Sequence, residues 1–157
     1  MTTVQSPFDK VRRKMVTARV EFMGQLARFS KDELAQEPAP EEWSPLRLAH
    51  HLYIADGLVL EQLQRVQQED NPLIINLEEE SPSLTRTSEP PVSLDAVLAG
   101  MAARREELFE YLFSLPNEVW ERPLRHHLWG QMKFYQLVNI LYTHDREHTQ
   151  QLAAIKR

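Results

Sequence analysis

At 157 residues and 42% hydrophobic composition, the chain is long enough to bury a proper core, and disorder is not the default. A formal net charge of −5, with no basic block longer than Arg12-Arg13-Lys14, argues against the concentrated positive face that a nucleic-acid surface needs. The absence of cysteine excludes disulfides, thiolate metal ligands and a sulfur nucleophile of the protein's own.

The opening MTTVQSPFDKVRRKM has no apolar core of the signal-peptide kind. No run approaches the roughly 18 apolar residues of a membrane span, so cytoplasmic residence without membrane contact is expected. Ser6-Pro7-Phe8-Asp9 opens a first helix with a capping hydroxyl, a proline at the first helical position and an acid three residues past the cap. Phe8, Val11, Met15, Ala18, Phe22, Leu26 and Phe29 give it an apolar stripe. Ser30-Lys31-Asp32-Glu33 reads as a cap on one short turn, ended by Pro38 and Pro40. Ser44-Pro45 opens a second long helix, so densely apolar that it reads as buried on more than one side. His50 and His51 lie in its second turn. His51 shares a stripe with Leu48, Ala55 and Leu58, His50 one with Leu46, Ile54 and Gly57, and periodicity does not choose between them.

Residues 70–92, with the acidic run Glu78-Glu79-Glu80, form a connection far longer than the 2–8 residues that usually join antiparallel bundle helices. The length predicts a crossover, with the helices on either side running parallel and the acidic run solvated; a loose loop between antiparallel helices is the alternative. Ser93 caps a third helix whose seam is Leu94, Leu98, Met101, Arg105, Leu108 and Leu112. Arg105 interrupts that seam, either to pair with an acid or snorkel to solvent, or to face a pocket and meet an anionic substrate group. Pro116 to Trp120 reads as one short helical turn. Arg125 to Gly130 reads as a loop carrying His126 and His127 exposed, and no strand pattern is evident. A fourth helix is expected from about Gln131 to Ala154, with Lys156-Arg157 suiting its negative end. The expected fold is all-α, a four-helix bundle with one long crossover, as a single domain over residues 1–157.

The stripe of the fourth helix is Leu137, Leu141, His144, His148, Leu152 and Ile155, in steps of four, three, four, four and three. Both histidines occupy places where core spacing calls for leucine. A buried imidazole must satisfy both ring nitrogens. Histidines hydrogen-bonded to neighbouring helices would do so, and so would a shared metal ion. One of His50 or His51 supplies a third ring. Three neutral imidazoles suit Zn or Ni, with Fe, Mn or Cu also admissible, better than Mg or Ca, and leave an open position for water or substrate. The protease arrangement H-E-x-x-H is absent, since Asp145 follows the first histidine. Asp145 lies about 100° round the helix from His144 and is expected to orient a ligand or pair with a cation, while Glu147 faces solvent.

Trp43-Ser44, with His51-Leu52 eight residues after the tryptophan, and His144-Asp145-x-x-His148-x-x-Gln151-Leu152 together resemble the signatures of the DinB/YfiT-like superfamily. The segments around Trp120 and Trp129-Gly130 share the likeness, which covers nearly the whole chain. The resemblance implies an up-down-down-up bundle, a three-histidine metal site of His51, His144 and His148, and a homodimer. It implies thiol-dependent S-transferase or isomerase chemistry, with bacillithiol, mycothiol or glutathione as cosubstrate. The family's name refers to DNA-damage induction, a stress response, but the charge gives no reason to expect DNA contact.

That implication fits a chain without cysteine, whose sulfur nucleophile must arrive as a low-molecular-weight thiol and be activated on a divalent transition metal. Tyr53, Trp129, Tyr135 and Tyr142 either line a pocket for a small electrophile or belong to the core. Arg105 and Tyr142 are the candidates for contact with the cosubstrate. Hydrolysis by an activated water, a non-catalytic metal- or ligand-binding bundle, and a purely structural bundle are the alternatives.

Overall fold

The computed structural model describes residues 6–75 and 93–155. The acidic run of residues 78–80, most of the long connection and the terminal Lys156-Arg157 lie outside these. The long helices are α1 (Pro7–Leu26), α3 (Pro45–Gln68), α4 (Leu94–Phe113) and α5 (Phe134–Ile155), with a short α2 (Lys31–Ala35) after the first. Serine opens four of these five helices. Ser6, Ser30, Ser44 and Ser93 each accept a hydrogen bond from the backbone N–H three residues on, satisfying one of the orphan donors of a helix start. At Ser30 the Glu33 carboxylate also accepts from the Ser30 N–H, completing a capping box.

Side-chain pairings fix the helix directions. Lys14 meets Asn139 and Arg19 meets Asp145, so α1 and α5 run together. Tyr53 meets Arg104 and Gln67 meets Tyr111, so α3 and α4 run together. Leu46 to Leu52 pack with Leu152, and Val59 to Val66 with Phe134 to Leu141, so α3 opposes α5. The bundle is therefore up-down-down-up. Parallel α3 and α4 require the chain to return along a 24-residue helix, about 36 Å. That distance needs about a dozen extended residues, more than a short loop supplies.

The core has two apolar halves. One gathers Phe8 to Met15, Val59 to Val66, Leu108 to Leu112, Trp120 and Phe134 to Leu141. The other gathers Phe22 to Phe29, Leu46 to Leu52, Val97, Met101 and Leu152. Every long helix carries inward polar residues where the two halves meet: Arg19, Asp56 with His51 one turn earlier, Arg105, and His144, Asp145 and His148. The candidate site lies in this middle layer.

A small sheet departs from the expectation of no strands. β1 (Leu73–Ile74) pairs in parallel with β2 (Pro123–His126), which pairs antiparallel with β3 (Gly130–Lys133). Along β2, Leu124 and His126 are buried while Pro123 and Arg125 are exposed, which is strand alternation. Four residues with only one aliphatic core position are too few to show as a pattern. Gly130 turns the hairpin at φ 75°, a conformation that favours glycine. Because β3 takes residues 130–133, α5 starts at Phe134 rather than Gln131. His126 is consequently not an exposed loop residue. It is buried, its Nδ1 accepts from the Leu128 N–H, and its ring stacks on Trp129 at 4.1 Å. His127 is exposed, as expected. Among the described residues, no helix is long and apolar enough to cross a membrane.

Candidate metal centre

The antiparallel run of α3 against α5 brings the second turn of α3 opposite the second half of α5. His51, buried, points across this interface. His50 instead stacks on Tyr53, ring centroids 5.9 Å apart, on a different side of the helix. Burial and then the nearby Arg47 charge lower its pKa. The choice that periodicity leaves open thus falls on His51.

His51 Nε2 lies 3.0 Å from His144 Nε2, and His148 Nε2 lies 3.0 Å from the same atom. All three nitrogens fall within 4.8 Å of one another. The rings stand nearly perpendicular, at 76°, 76° and 68°, with centroids 4.6 to 5.0 Å apart. They are therefore not individually satisfied histidines. A neutral ring nitrogen offers one in-plane proton or one lone pair. His144 Nε2 faces two other nitrogens and can make a sound hydrogen bond with at most one.

At His148 the tautomer follows from its neighbour. Gln151 Oε1 accepts from Nδ1 at 2.9 Å, which leaves the Nε2 lone pair aimed at the cluster. His51 Nδ1 is buried without a hydrogen-bond partner among the described residues, so the polar contacts of this ring rest on Nε2, the nitrogen that faces His144. Tetrahedral zinc–imidazole geometry sets neighbouring nitrogens about 3.3 Å apart, close to the 3.0 Å at which His144 Nε2 meets each of the other two, and all three lie within 4.8 Å, the spacing of a group that could hold a transition-metal ion.

The electrostatics keep the His51 and His144 rings neutral, the form that binds metal. Burial, with the charges of His148 and His50 adding, lowers the His51 pKa to about 4. Burial also lowers His144 to about 2, helped by His148, His51, Arg19 and Arg105. The unfolded chain protonates both rings below about pH 6.5, whereas the folded chain does not until about pH 4 at His51 and about 2 at His144. The unfolded state binds more protons across that window, so stability falls as pH falls through it. Metal-free protein should lose on the order of 2–3 kcal/mol between pH 6.5 and 5, measured by urea unfolding at each pH. Equal stability at both values would contradict buried neutral rings.

Beside the histidines lies a buried ionic quartet with one member from each long helix. Asp56 on α3 accepts from Arg19 Nη2 on α1 (3.0 Å) and from Arg105 Nε and Nη2 on α4 (3.2 and 3.1 Å). Asp145 on α5 accepts from Arg19 Nε and Nη2 (3.3 and 3.1 Å) and from Arg105 Nη2 (3.2 Å). Two positive and two negative charges alternate, which compensates the burial. Burial alone would lower the Arg19 pKa, but Asp56 and Asp145 outweigh it and hold it above its ordinary value. Arg105 therefore pairs with acids, the first of its two expected roles. Asp145 pairs with cations, as its place on the helix predicts.

Tyr142, two residues before His144, is turned to the other side of α5. It packs under Lys14 and accepts a hydrogen bond from Arg146. Tyr53 is held by Arg104 between α3 and α4, and Trp129 and Tyr135 are exposed. Trp43, in contrast, packs its indole against the His51 ring at 5.1 Å. Arg19 and Asp56 are the members of this layer that the sequence reading missed. The signal was available: Met15, Arg19, Phe22, Leu26 and Leu52, Asp56, Val59, Leu63 both step by four, three and four, placing a charge in a core seam.

A family model described as the DinB superfamily matches residues 14–152. The chain is 27% identical over 150 residues to YuaE of Bacillus subtilis (strain 168), covering 88% of this chain and 93% of that protein. Among solved structures, YfiT from Bacillus subtilis superimposes with a TM-score of 0.75 at 14% identity, covering 100% of this chain and 90% of the other. Its structure is described as that of a probable metal-dependent hydrolase with an unusual four-helix bundle topology. TT2238, described as a four-helix bundle protein, superimposes with a TM-score of 0.66 at 18% identity, covering 94% and 98%.

Proposed function

The chain belongs to the DinB superfamily, and from that membership, with three imidazoles converged on one point, we propose a divalent-metal-dependent enzyme acting on a small substrate. The observation that carries this reading is the 3.0 Å approach of two Nε2 atoms to a third, across two helices. A divalent cation held there would keep an open position and bring the pKa of a water or thiol taken up in it towards neutrality. The chain's own residues hold the geometry. Gln151 keeps the proton of His148 on Nδ1, and the quartet ties α5 to the other three helices through Asp145, beside His144.

The finer reading is transfer of a low-molecular-weight thiol to a small electrophile. Asp56 and Asp145, the carboxylates of the middle layer, are each committed to two arginines. Neither is free to take a proton from a nucleophile. A thiol with a pKa of about 8.5 needs far less help to ionise than water at about 15.7. Hydrolysis is the second reading, favoured by the description of YfiT.

The test uses metal-loaded protein. Conjugation of 1-chloro-2,4-dinitrobenzene with a panel of thiols is compared with hydrolysis of p-nitrophenyl acetate without thiol. Thiol-dependent turnover that disappears with a chelator is expected. Ester hydrolysis alone would move the assignment to a hydrolase. Metal binding with neither activity would make the bundle a binding module.

A further inference from the structure

We infer that the Trp43–Arg47 pair makes the three-histidine centre selective for anionic ligands, specifically small molecules whose metal-binding atom sits a few carbons from a carboxylate. The inference rests on the metal-centre reading above. Three neutral imidazoles leave the charge of a divalent cation uncompensated. The carboxylates of the same layer, Asp56 and Asp145, are already matched by Arg19 and Arg105. Nothing in that set offsets a positive centre, so an incoming anion gains on charge alone.

Trp43 and Arg47 give this preference a direction. The Trp43 indole packs on the His51 ring at 5.1 Å, and the Arg47 guanidinium lies over the same indole at 5.1 Å from its centroid. The guanidinium is thus no more than about 10 Å from the ligand ring. Its backbone is fixed, since the Arg47 N–H donates to the Ser44 cap. Stacking uses the π face of the guanidinium and leaves its in-plane N–H donors available for a carboxylate. Among the described residues, no carboxylate pairs with the Arg47 side chain. Both side chains are half-buried, at the start of α3 rather than deep in the core.

The experiment titrates Co2+-loaded protein with 3-mercaptopropionate and with 3-mercaptopropionamide, reading the sulfur-to-cobalt charge-transfer absorption. The two probes share size and donor atom and differ in charge. The wild type should prefer the carboxylate about 3- to 10-fold, and less as salt rises. Arg47→Gln should cut the preference to the part set by the cobalt charge alone, and Arg47→Lys should keep more of it. Cobalt uptake in the same titration checks that the three imidazoles are intact. A ratio unchanged by Arg47→Gln, with cobalt bound normally, overturns this inference and leaves the metal centre standing. Failure of the wild type to take up cobalt removes the centre and this inference with it.

Discussion

Replacing His144 with alanine is expected to weaken binding of a divalent transition metal by at least about a hundredfold. Loss of a hydrogen-bond partner behind a metal ligand already costs about 10- to 100-fold, and His144 is proposed as a ligand itself. It is also the central one, with its Nε2 at 3.0 Å from both other Nε2 atoms, so its loss leaves two rings from different helices without a common neighbour. His51→Ala and His148→Ala should act in the same direction. His50→Ala and His127→Ala should not, because the first ring stacks on Tyr53 and the second is exposed. Competition against a chromophoric chelator measures all five. The thermal midpoint gives a second reading, since metal at a hundred times its Kd stabilises a folded chain by about 2.7 kcal/mol. If His144→Ala binds metal as tightly as the wild type, the ion is held elsewhere and the proposed site is wrong.

Asp56→Ala should be the most damaging single change to stability, at about 3–5 kcal/mol. The variant loses three hydrogen bonds and leaves two guanidiniums sharing Asp145 in a buried layer. The cost is that of an uncompensated charge, which is much larger than the net gain from forming the quartet. For a chain of this size the thermal midpoint should fall by about 10 °C. Replacing Arg19, Asp56, Arg105 and Asp145 together with apolar residues of similar volume should recover most of that loss, because no charge is then left unpaired. A fall of under about 2 °C for Asp56→Ala alone would show that the quartet contributes little. The two predictions separate site from scaffold, since the first removes the ion's seat and the second loosens the layer that holds it.

The four charged members occupy equivalent steps of their helices. Met15-Arg19-Phe22-Leu26, Leu52-Asp56-Val59-Leu63, Met101-Arg105-Leu108-Leu112 and Leu141-Asp145-His148-Leu152 each advance by four, three and four. Each charge was legible as an interruption of a core seam. Only Arg105 was read that way; Asp145 was read from its place directly after His144, and Arg19 and Asp56 sit among apolar neighbours dense enough to hide them. The β2–β3 hairpin was illegible for another reason. Its strands are four residues long, and its inward positions include a histidine rather than a run of β-branched residues.

By itself, the sequence determined what lies along one helix: its caps, its buried face, and the placing of His144 and His148 one turn apart on that face. These follow from a fixed 3.6-residue repeat, which needs no knowledge of neighbours. It also pointed to parallel α3 and α4, because the connection is too long for a tight turn and long enough to cross the bundle, and the pairings Tyr53–Arg104 and Gln67–Tyr111 then fixed that direction. Tertiary structure alone decided that His51 rather than His50 completes the trio, that Arg105 meets Asp56 and Asp145 rather than a ligand, and that Tyr142 turns towards Lys14. Each of these depends on how one helix is rotated against another. That rotation is set by the summed packing of two apolar half-cores, a property of the whole bundle that no local spacing encodes.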